Sequence, residues 1–246
     1  NVDFVATPQS QQHGAGSVFR QGGAKESATS VISVNAAPVN PYKGLRSFEE
    51  ADAADFFGRD TLIETLINHL AKSAENNRFL AVVGPSGSGK SSVVKAGVVP
   101  TIRRSRDPDW ANCFIVEMTP GDKPLQSLKD ALLRIAIGDT DNIGERIRAD
   151  ETGLLEGANH VLPDDDSELV LVIDQFEELF TLNQDTAVRA RFMDNLYTAI
   201  ASPESRIRMI ITLRADYYDR PLLYPRFGEI LRVNTQVVLP MDEDAL

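Results

Sequence analysis

Val82-Val83-Gly84-Pro85-Ser86-Gly87-Ser88-Gly89-Lys90-Ser91 is the stretch whose reading decides the fold. It fits the spacing G-x-x-x-x-G-K-[ST], with an apolar run from Phe79 to Val83 before it and a helix-compatible run from Ser91 to Val99 after it. Glycines let the backbone curl until successive N–H groups point inward at a polyphosphate. The helix N-terminus adds partial positive charge at the same place. Lys90 is long enough to reach β- and γ-phosphates, and the Ser91 hydroxyl can ligate Mg²⁺. A glycine-rich turn ahead of an ordinary helix is the alternative, and the strand–loop–helix context argues against it. The stretch predicts a nucleotide-binding loop.

The bulk properties set limits around that loop. With 246 residues, 42% of them hydrophobic, the chain can bury a sizeable core. It starts at Asn1 rather than Met, and so reads as an excerpt of a longer polypeptide. Residues 1 to about 40 hold no leucine and are rich in Gln, Ser, Gly, Ala and Asn. Such a segment buries too little apolar area to offset its ordering entropy and reads as a flexible linker, with Ser30–Val34 as one short candidate strand. The single cysteine, Cys113, leaves no internal disulfide and no cysteine zinc site, which suits a reducing cytoplasm. The apolar runs are strand-sized, far short of the ~20 residues of a membrane helix. His13, His69 and His160 have no metal-like spacing.

The net charge of −11 is unevenly placed: ten acids between Asp139 and Glu168 face only Arg146 and Arg148, so this segment carries −8 of it. It reads as a solvated helical face or, alternatively, as a surface for a basic partner. No basic footprint for nucleic acid is present.

Strand and helix signals alternate from Asn40 onward. Asp60 can cap a helix whose apolar positions Leu62, Ile63, Leu66, Ile67 and Leu70 follow the 3.6-residue period. Strands are predicted at 79–83, 113–118, 169–173 and 207–213, with a last one at 230–233 or 237–239. The helix after the glycine-rich loop should stop near Pro100, Leu125, Leu128, Leu132 and Ile135 mark another, and a further one runs from about 187 to 201. This alternation implies a doubly wound parallel α/β sheet flanked by helices.

The second half of the chemistry lies at strand ends. Leu169-Val170-Leu171-Val172-Ile173-Asp174 has the form of a Walker B strand, and Asp174 at its end would hold Mg²⁺ opposite Ser91. Gln175 stands immediately after it, where a water-positioning glutamate is often found. Glu177 and Glu178 follow, either of which could face a γ-phosphate from the first turn of a helix, or simply favour that helix dipole. Arg214 closes the strand at 207–213, where it could read a γ-phosphate or form a surface ion pair.

Assembled, these segments resemble a known family. Asn40-Pro41-Tyr42-Lys43-Gly44-Leu45-Arg46-Ser47-Phe48, Phe56-Phe57-Gly58-Arg59 and the Phe79–Ser92 stretch carry the likeness with Ile173-Asp174-Gln175-Phe176-Glu177-Glu178-Leu179-Phe180 and Leu213-Arg214-Ala215-Asp216-Tyr217-Tyr218. In this order they are similar to the novel STAND NTPases, P-loop NTPases of the ASCE/AAA+-like kind. The likeness covers about residue 40 to 246, with the nucleotide-binding domain itself expected at 41–246. It implies an ATP/ADP- and Mg²⁺-dependent switch that hydrolyses slowly, self-associates on activation and controls an N-terminal effector of the same polypeptide. A C-terminal repeat sensor, often WD40 or TPR, would recognise a protein trigger, and many bacterial members serve antiphage defence. Carried over, the loop Gly84, Pro85, Ser86, Gly87, Ser88, Gly89, Lys90, Ser91 and Ser92 would hold phosphate, Ser91 and Asp174 the metal, and Arg214 would be the sensor arginine. Arg59 would belong to the nucleotide lid. Asp60 stands where the family usually has Glu, and the sequence stops where helical and winged-helix modules are expected. Two other classes stay open from the residues alone: a P-loop kinase or ATPase acting on a small molecule, and a nucleotide-binding scaffold that never hydrolyses.

Overall fold

The computed structural model describes residues 47–71, 78–137 and 140–240. The candidate strand at 30–34, the linker reading for residues 1–40 and the lead-in from Asn40 to Arg46 lie outside these residues. In chain order the elements are a 3₁₀ turn (Glu50–Asp55), α1 (Asp60–Leu70), β1 (Phe79–Gly84) and α2 (Lys90–Ser92). A π-helical Val93–Val98 then leads without a break into α3 (Val99–Arg104). There follow β2 (Cys113–Met118), α4 (Pro124–Leu133), α5 (Ile143–Ala149), α6 (Gly153–Val161), β3 (Glu168–Ile173) and α7 (Glu178–Thr181). The last are α8 (Thr186–Ala201), β4 (Ile207–Arg214), a 3₁₀ turn (Ala215–Tyr217), α9 (Asp219–Leu222), α10 (Pro225–Val233) and β5 (Thr235–Val237).

The five strands form one parallel sheet in the order β2-β3-β4-β1-β5. Parallel strands need helical crossovers, and the helices cover both faces, which is why β1 and β3 read as continuous apolar runs. Side chains still alternate between two cores. Phe79, Ala81, Leu169, Leu171, Ile173, Met209, Ile211 and Leu213 pack with α4, α6, α8 and α10. Leu80, Val82, Val170, Val172 and Ile210 pack with Leu66 and Leu70 of α1 and with Val93, Val94, Val98, Val99 and Ile102 of the helix after the loop. Each Val, Leu, Ile, Phe or Met among them contributes roughly 1.5–3 kcal/mol through burial. The same alternation aims Asp174, Thr212 and Glu117 toward the second face, where that helix lies.

The structure corrects three expectations. Pro100 does not stop the helix, which continues to Arg104. The backbone changes from π to α geometry at Val99, so Pro100 sits in the first turn of a new α-segment, where its missing N–H costs nothing. The last strand is Thr235–Val237, and Ile230–Val233 is instead the end of α10. Pro225 starts that helix and Phe227 and Leu231 bury its apolar stripe, so helical periodicity overrides the β-branched run. Asp60 is the first residue of α1, with Arg59 at the cap position.

Within the acidic segment, Ile143, Ile147, Leu154, Ala158 and Val161 are buried while Glu145, Asp150, Glu156, Asp164, Asp165 and Asp166 face solvent. Fully buried Asn195 of α8 pins the segment: it accepts from Leu154 N (2.8 Å) and donates to the carbonyls of Ile147 (3.1 Å) and Asp150 (3.0 Å). The acids are the solvated side of helices held by their apolar side.

Candidate functional site

Register brings the chemistry to one edge of the sheet. Gly84, where β1 runs into the glycine-rich loop, pairs with Arg214 at the end of β4, and Asp174 N donates to Met118 O (2.8 Å) beyond the end of β3. The carboxyl ends of β1, β3 and β4 therefore open on the same space, as they do where parallel sheets bind ligands. That space is a cavity of about 700 Å³ lined by Ser86–Val93, Gln175, Glu177, Thr212 and Arg214, with Phe48, Phe56, Arg59 and Pro240 over it. A larger hollow of about 850 Å³ lies beside α4 and α8, but none of the loop residues line it.

The loop itself is built as a cradle. Gly87 and Gly89 hold φ of 76° and 87°, a region that side-chain-bearing residues rarely adopt. A Cβ on Gly84 would lie 2.3 Å from Val238 O, so the strand end admits only glycine. Lys90 Nζ turns back into the loop and donates to Pro85 O (2.7 Å). Burial lowers its pKa from the ordinary lysine value, and Glu177 offsets this only in part. Ser88 Oγ is buried with no hydrogen-bond partner among the described residues. An ammonium held on a carbonyl, a buried orphan hydroxyl and left-handed glycines are the donor set that a polyphosphate would complete.

Opposite the loop, Asp174 is 2% exposed. Its Oδ1 accepts from Ser91 Oγ (2.7 Å) and Thr212 Oγ1 (2.5 Å), and its Oδ2 lies 3.3 Å from Lys95 Nζ. Mg²⁺ in such sites takes one or two protein oxygens plus phosphate and water, and Ser91 Oγ and Asp174 Oδ1 supply that number. Thr212 also accepts from Gln175 N (2.9 Å) through its hydroxyl and from Phe176 N (2.9 Å) through its carbonyl. These bonds hold Gln175 at φ 52°, a sharp turn that sets the direction of the helix start carrying the two glutamates.

Glu177 lines the cavity and accepts from Arg214 N (3.3 Å), whereas Glu178 points away and accepts from Gly121 N (3.2 Å). Burial raises the Glu177 pKa, and its backbone hydrogen bonds, Lys90 and Arg214 lower it only in part. Arg214 stands at the rim, paired with Asp216 through Nε (3.0 Å) and Nη2 (2.7 Å). That pair holds the guanidinium pKa above and the Asp216 pKa below its ordinary value. Arg59 Nη2 donates to Leu239 O (2.8 Å), bridging the lead-in and the segment after β5. Of the candidate residues, the structure brings Arg59, Ser86–Ser92, Glu177 and Arg214 to one cavity, with Asp174 behind Ser91, and leaves Glu178 outside it.

The chain that joins the loop and strand ends in one site matches a known family: a family model described as novel STAND NTPase 1 covers residues 41–246. The chain belongs to the novel STAND NTPase 1 family. Membership places it among nucleotide-binding NTPases that act as signalling switches. A search of the curated proteins gives no match.

Three site residues of this STAND NTPase escape a reading of its sequence: Thr212, Glu117 and Lys95. Lys95 Nζ lies 3.5 Å from Glu49 Oε1 and 3.9 Å from Glu117 Oε2, besides Asp174. Burial would lower the Lys95 pKa, but Asp174, Glu49 and Glu117 outweigh it and hold it above the ordinary value. Glu117 goes up through burial despite that lysine. Both leave a signal in the sequence. Lys95 is the one charge in the apolar run Val93–Val99, one helical turn past Ser91, and Glu117 is the one charge in β2.

Proposed function

We propose that residues 47–240 form the ATP/ADP switch of a STAND signalling ATPase, with Mg²⁺ held between Ser91 and Asp174. The observation that carries this reading is the Ser91 Oγ–Asp174 Oδ1 hydrogen bond of 2.7 Å at the mouth of the glycine-rich loop. It joins the phosphate side and the carboxylate side of one cavity. In this reading Lys90 leaves Pro85 O for β- and γ-phosphate oxygens, and the loop N–H groups and Ser88 complete the cradle. Mg²⁺, when bound, would neutralise phosphate charge. Arg214 exchanges Asp216 for a γ-phosphate and so distinguishes ATP from ADP. Phe48, Phe56, Arg59 and Pro240 offer a partly aromatic wall for the base and ribose.

In this reading Glu177, which lines the cavity, would act on water. As a carboxylate it would accept the proton of a water whose oxygen attacks the γ-phosphorus, while the bond from that phosphorus to the ADP oxygen breaks. Its burial favours the neutral acid, which suits slow turnover. The biological reading follows the family: ADP keeps a closed monomer, and ATP promotes self-association that activates an effector of the same polypeptide. We place this switch in the bacterial cytoplasm and in antiphage defence, with a protein trigger.

Titration with ATP and ADP, with and without Mg²⁺, tests the core of the reading, alongside turnover and light-scattering mass in each nucleotide. Micromolar or tighter Mg²⁺-dependent binding, slow turnover and a larger particle with ATP are expected. Absence of binding for both nucleotides would sink the reading. Binding without turnover, unchanged in Glu177→Gln, would leave a non-hydrolysing scaffold.

A further inference from the structure

The helix after the loop carries one charge that the nucleotide reading does not use. Lys95 sits in the π-helical segment between buried Val93, Val94, Ala96 and Val98, with its side chain only 16% exposed. Its ammonium is shared by carboxylates from three elements: Asp174 Oδ2 at 3.3 Å, Glu49 Oε1 at 3.5 Å and Glu117 Oε2 at 3.9 Å. Asp174 is buried at the end of β3, whereas Glu49 is exposed in the segment ahead of the first 3₁₀ turn. A second tether lies one helical step away, where Phe48 N donates to Ser92 Oγ (3.0 Å). Segment 47–55 is thus docked on the helix of the loop by these two contacts, the first shared with Asp174, and by Glu50 on Arg103 further along the same helix.

The ammonium has three N–H donors, and it sits unequally among the three carboxylates, nearest Asp174 and farthest from Glu117. Charge taken up at one carboxylate leaves more of the cation for the others, and the effect is strong where water is excluded. We propose that Lys95 is a positioning residue that relays cation occupancy at Asp174 to the docking of segment 47–55. The inference rests on the nucleotide reading above. A divalent cation drawing on Asp174 leaves Lys95 to Glu49, so the segment tightens onto the helix. In the other direction, Glu49 on Lys95 relieves the competition for Asp174 and favours the cation. The two effects are one coupling free energy and must be equal. Glu50, which pairs instead with Arg103 at 3.3 Å on the exposed side, lies outside the relay and serves as a control.

Hydrogen exchange of the full chain, compared between ADP with a chelator and ADP with Mg²⁺, tests this directly. Mg²⁺ should slow exchange of residues 48–55 by about fivefold in the wild type, the lower end of ordinary coupling. Glu49→Gln and Lys95→Met should lose that metal-dependent slowing while nucleotide still protects residues 84–92. Lys95→Arg and Glu50→Gln should keep it. If Lys95→Met fails to fold, Glu49→Gln decides, because Glu49 is exposed. Absence of metal-dependent slowing in the wild type, or slowing that survives both Glu49→Gln and Lys95→Met, overturns the relay. Loss of the nucleotide protection of residues 84–92 in the wild type is a different failure: it removes the nucleotide reading and the relay together.

Discussion

At the amino end of the sheet, Arg208 of β4 is 1% exposed. Its guanidinium donates to Leu70 O (3.1 Å) and Asp109 O (3.3 Å), pairs with Glu168 of β3 (2.6 Å) and lies 4.4 Å from the centre of the Trp110 ring. At the carboxyl end, Lys90 donates to one loop carbonyl, Ser88 Oγ has no partner among the described residues, and Arg214 is held by an exposed aspartate two residues away. The same strands run between these ends. A buried cation held by two carbonyls, a carboxylate and an aromatic ring inside the protein serves the fold rather than a ligand. A cation held on weak internal partners is held in readiness. The difference sorts the charged residues of this chain by the completeness of their partners, which is a sharper criterion than burial.

The strongest way to break that comparison is at the two adjacent glutamates. If an incomplete partner set marks function, Glu177→Gln should lower ATP turnover by about 10²- to 10⁴-fold, the span of a lost general base. Glu178→Gln, which weakens a bond to Gly121 N, should change turnover far less. Equal losses in single-turnover kinetics would mean that side-chain direction does not separate the two. The amino end should respond in stability instead. Arg208→Met leaves Glu168 without its buried cation and should cost about 3–5 kcal/mol in denaturant unfolding. Nucleotide affinity of the folded protein should then be unchanged, and a large loss of affinity would show that the two ends are coupled. Next in size, Lys90→Ala should weaken Mg²⁺–ATP binding by about 100-fold, the loss of charge-assisted bonds to phosphate. Its unfolding free energy should move by no more than about 1 kcal/mol, since one carbonyl bond is lost.

The two ends also differ in how far sequence reveals them. The glycine-rich loop is legible because its chemistry is local: residues 84–92 are contiguous, and their spacing alone prescribes the curl. Asp174 is legible because an apolar strand ending in an acid is a local pattern. Lys95, Thr212 and Glu117 are not, because their meeting depends on strand order. With β3 placed between β2 and β4, side-chain alternation sends Glu117, Asp174 and Thr212 to the face where Lys95 lies, and no spacing encodes that order. Glu177 and Glu178 read alike in sequence; helical geometry points them apart, and the turn at Gln175, fixed by Thr212 across the strands, decides which one faces the cavity. Arg208 was hidden for the same reason, since Leu70, Asp109 and Glu168 are far from it in sequence. The helix ending at Val233 shows the remaining limit: four residues suited to a strand became helical because Pro225, Phe227 and Leu231 gave the segment a helical face to bury.

The smallest expected effect tests whether readiness at the carboxyl end costs stability. Burial raises the Glu177 pKa in the folded protein above its unfolded value. The folded state then holds a proton more tightly than the unfolded one, so this group's contribution to stability is fully present below the ordinary glutamate range. It is lost as pH rises through the raised folded value. At neutral pH the folded protein therefore carries a buried carboxylate that it would hold more easily as the neutral acid. Glu177→Gln fixes that neutral form. The variant that loses the most turnover should thus melt slightly above the wild type at pH 7, with the difference closing as pH falls below the ordinary glutamate range. Lys90 and the Arg214 backbone N–H, which favour the carboxylate, keep the gain small. Thermal melts of both proteins across that pH range decide it. A wild type more stable than Glu177→Gln at neutral pH would mean that the glutamate is satisfied by its partners, as Arg208 is, and the contrast between the two ends would then fail at its central residue.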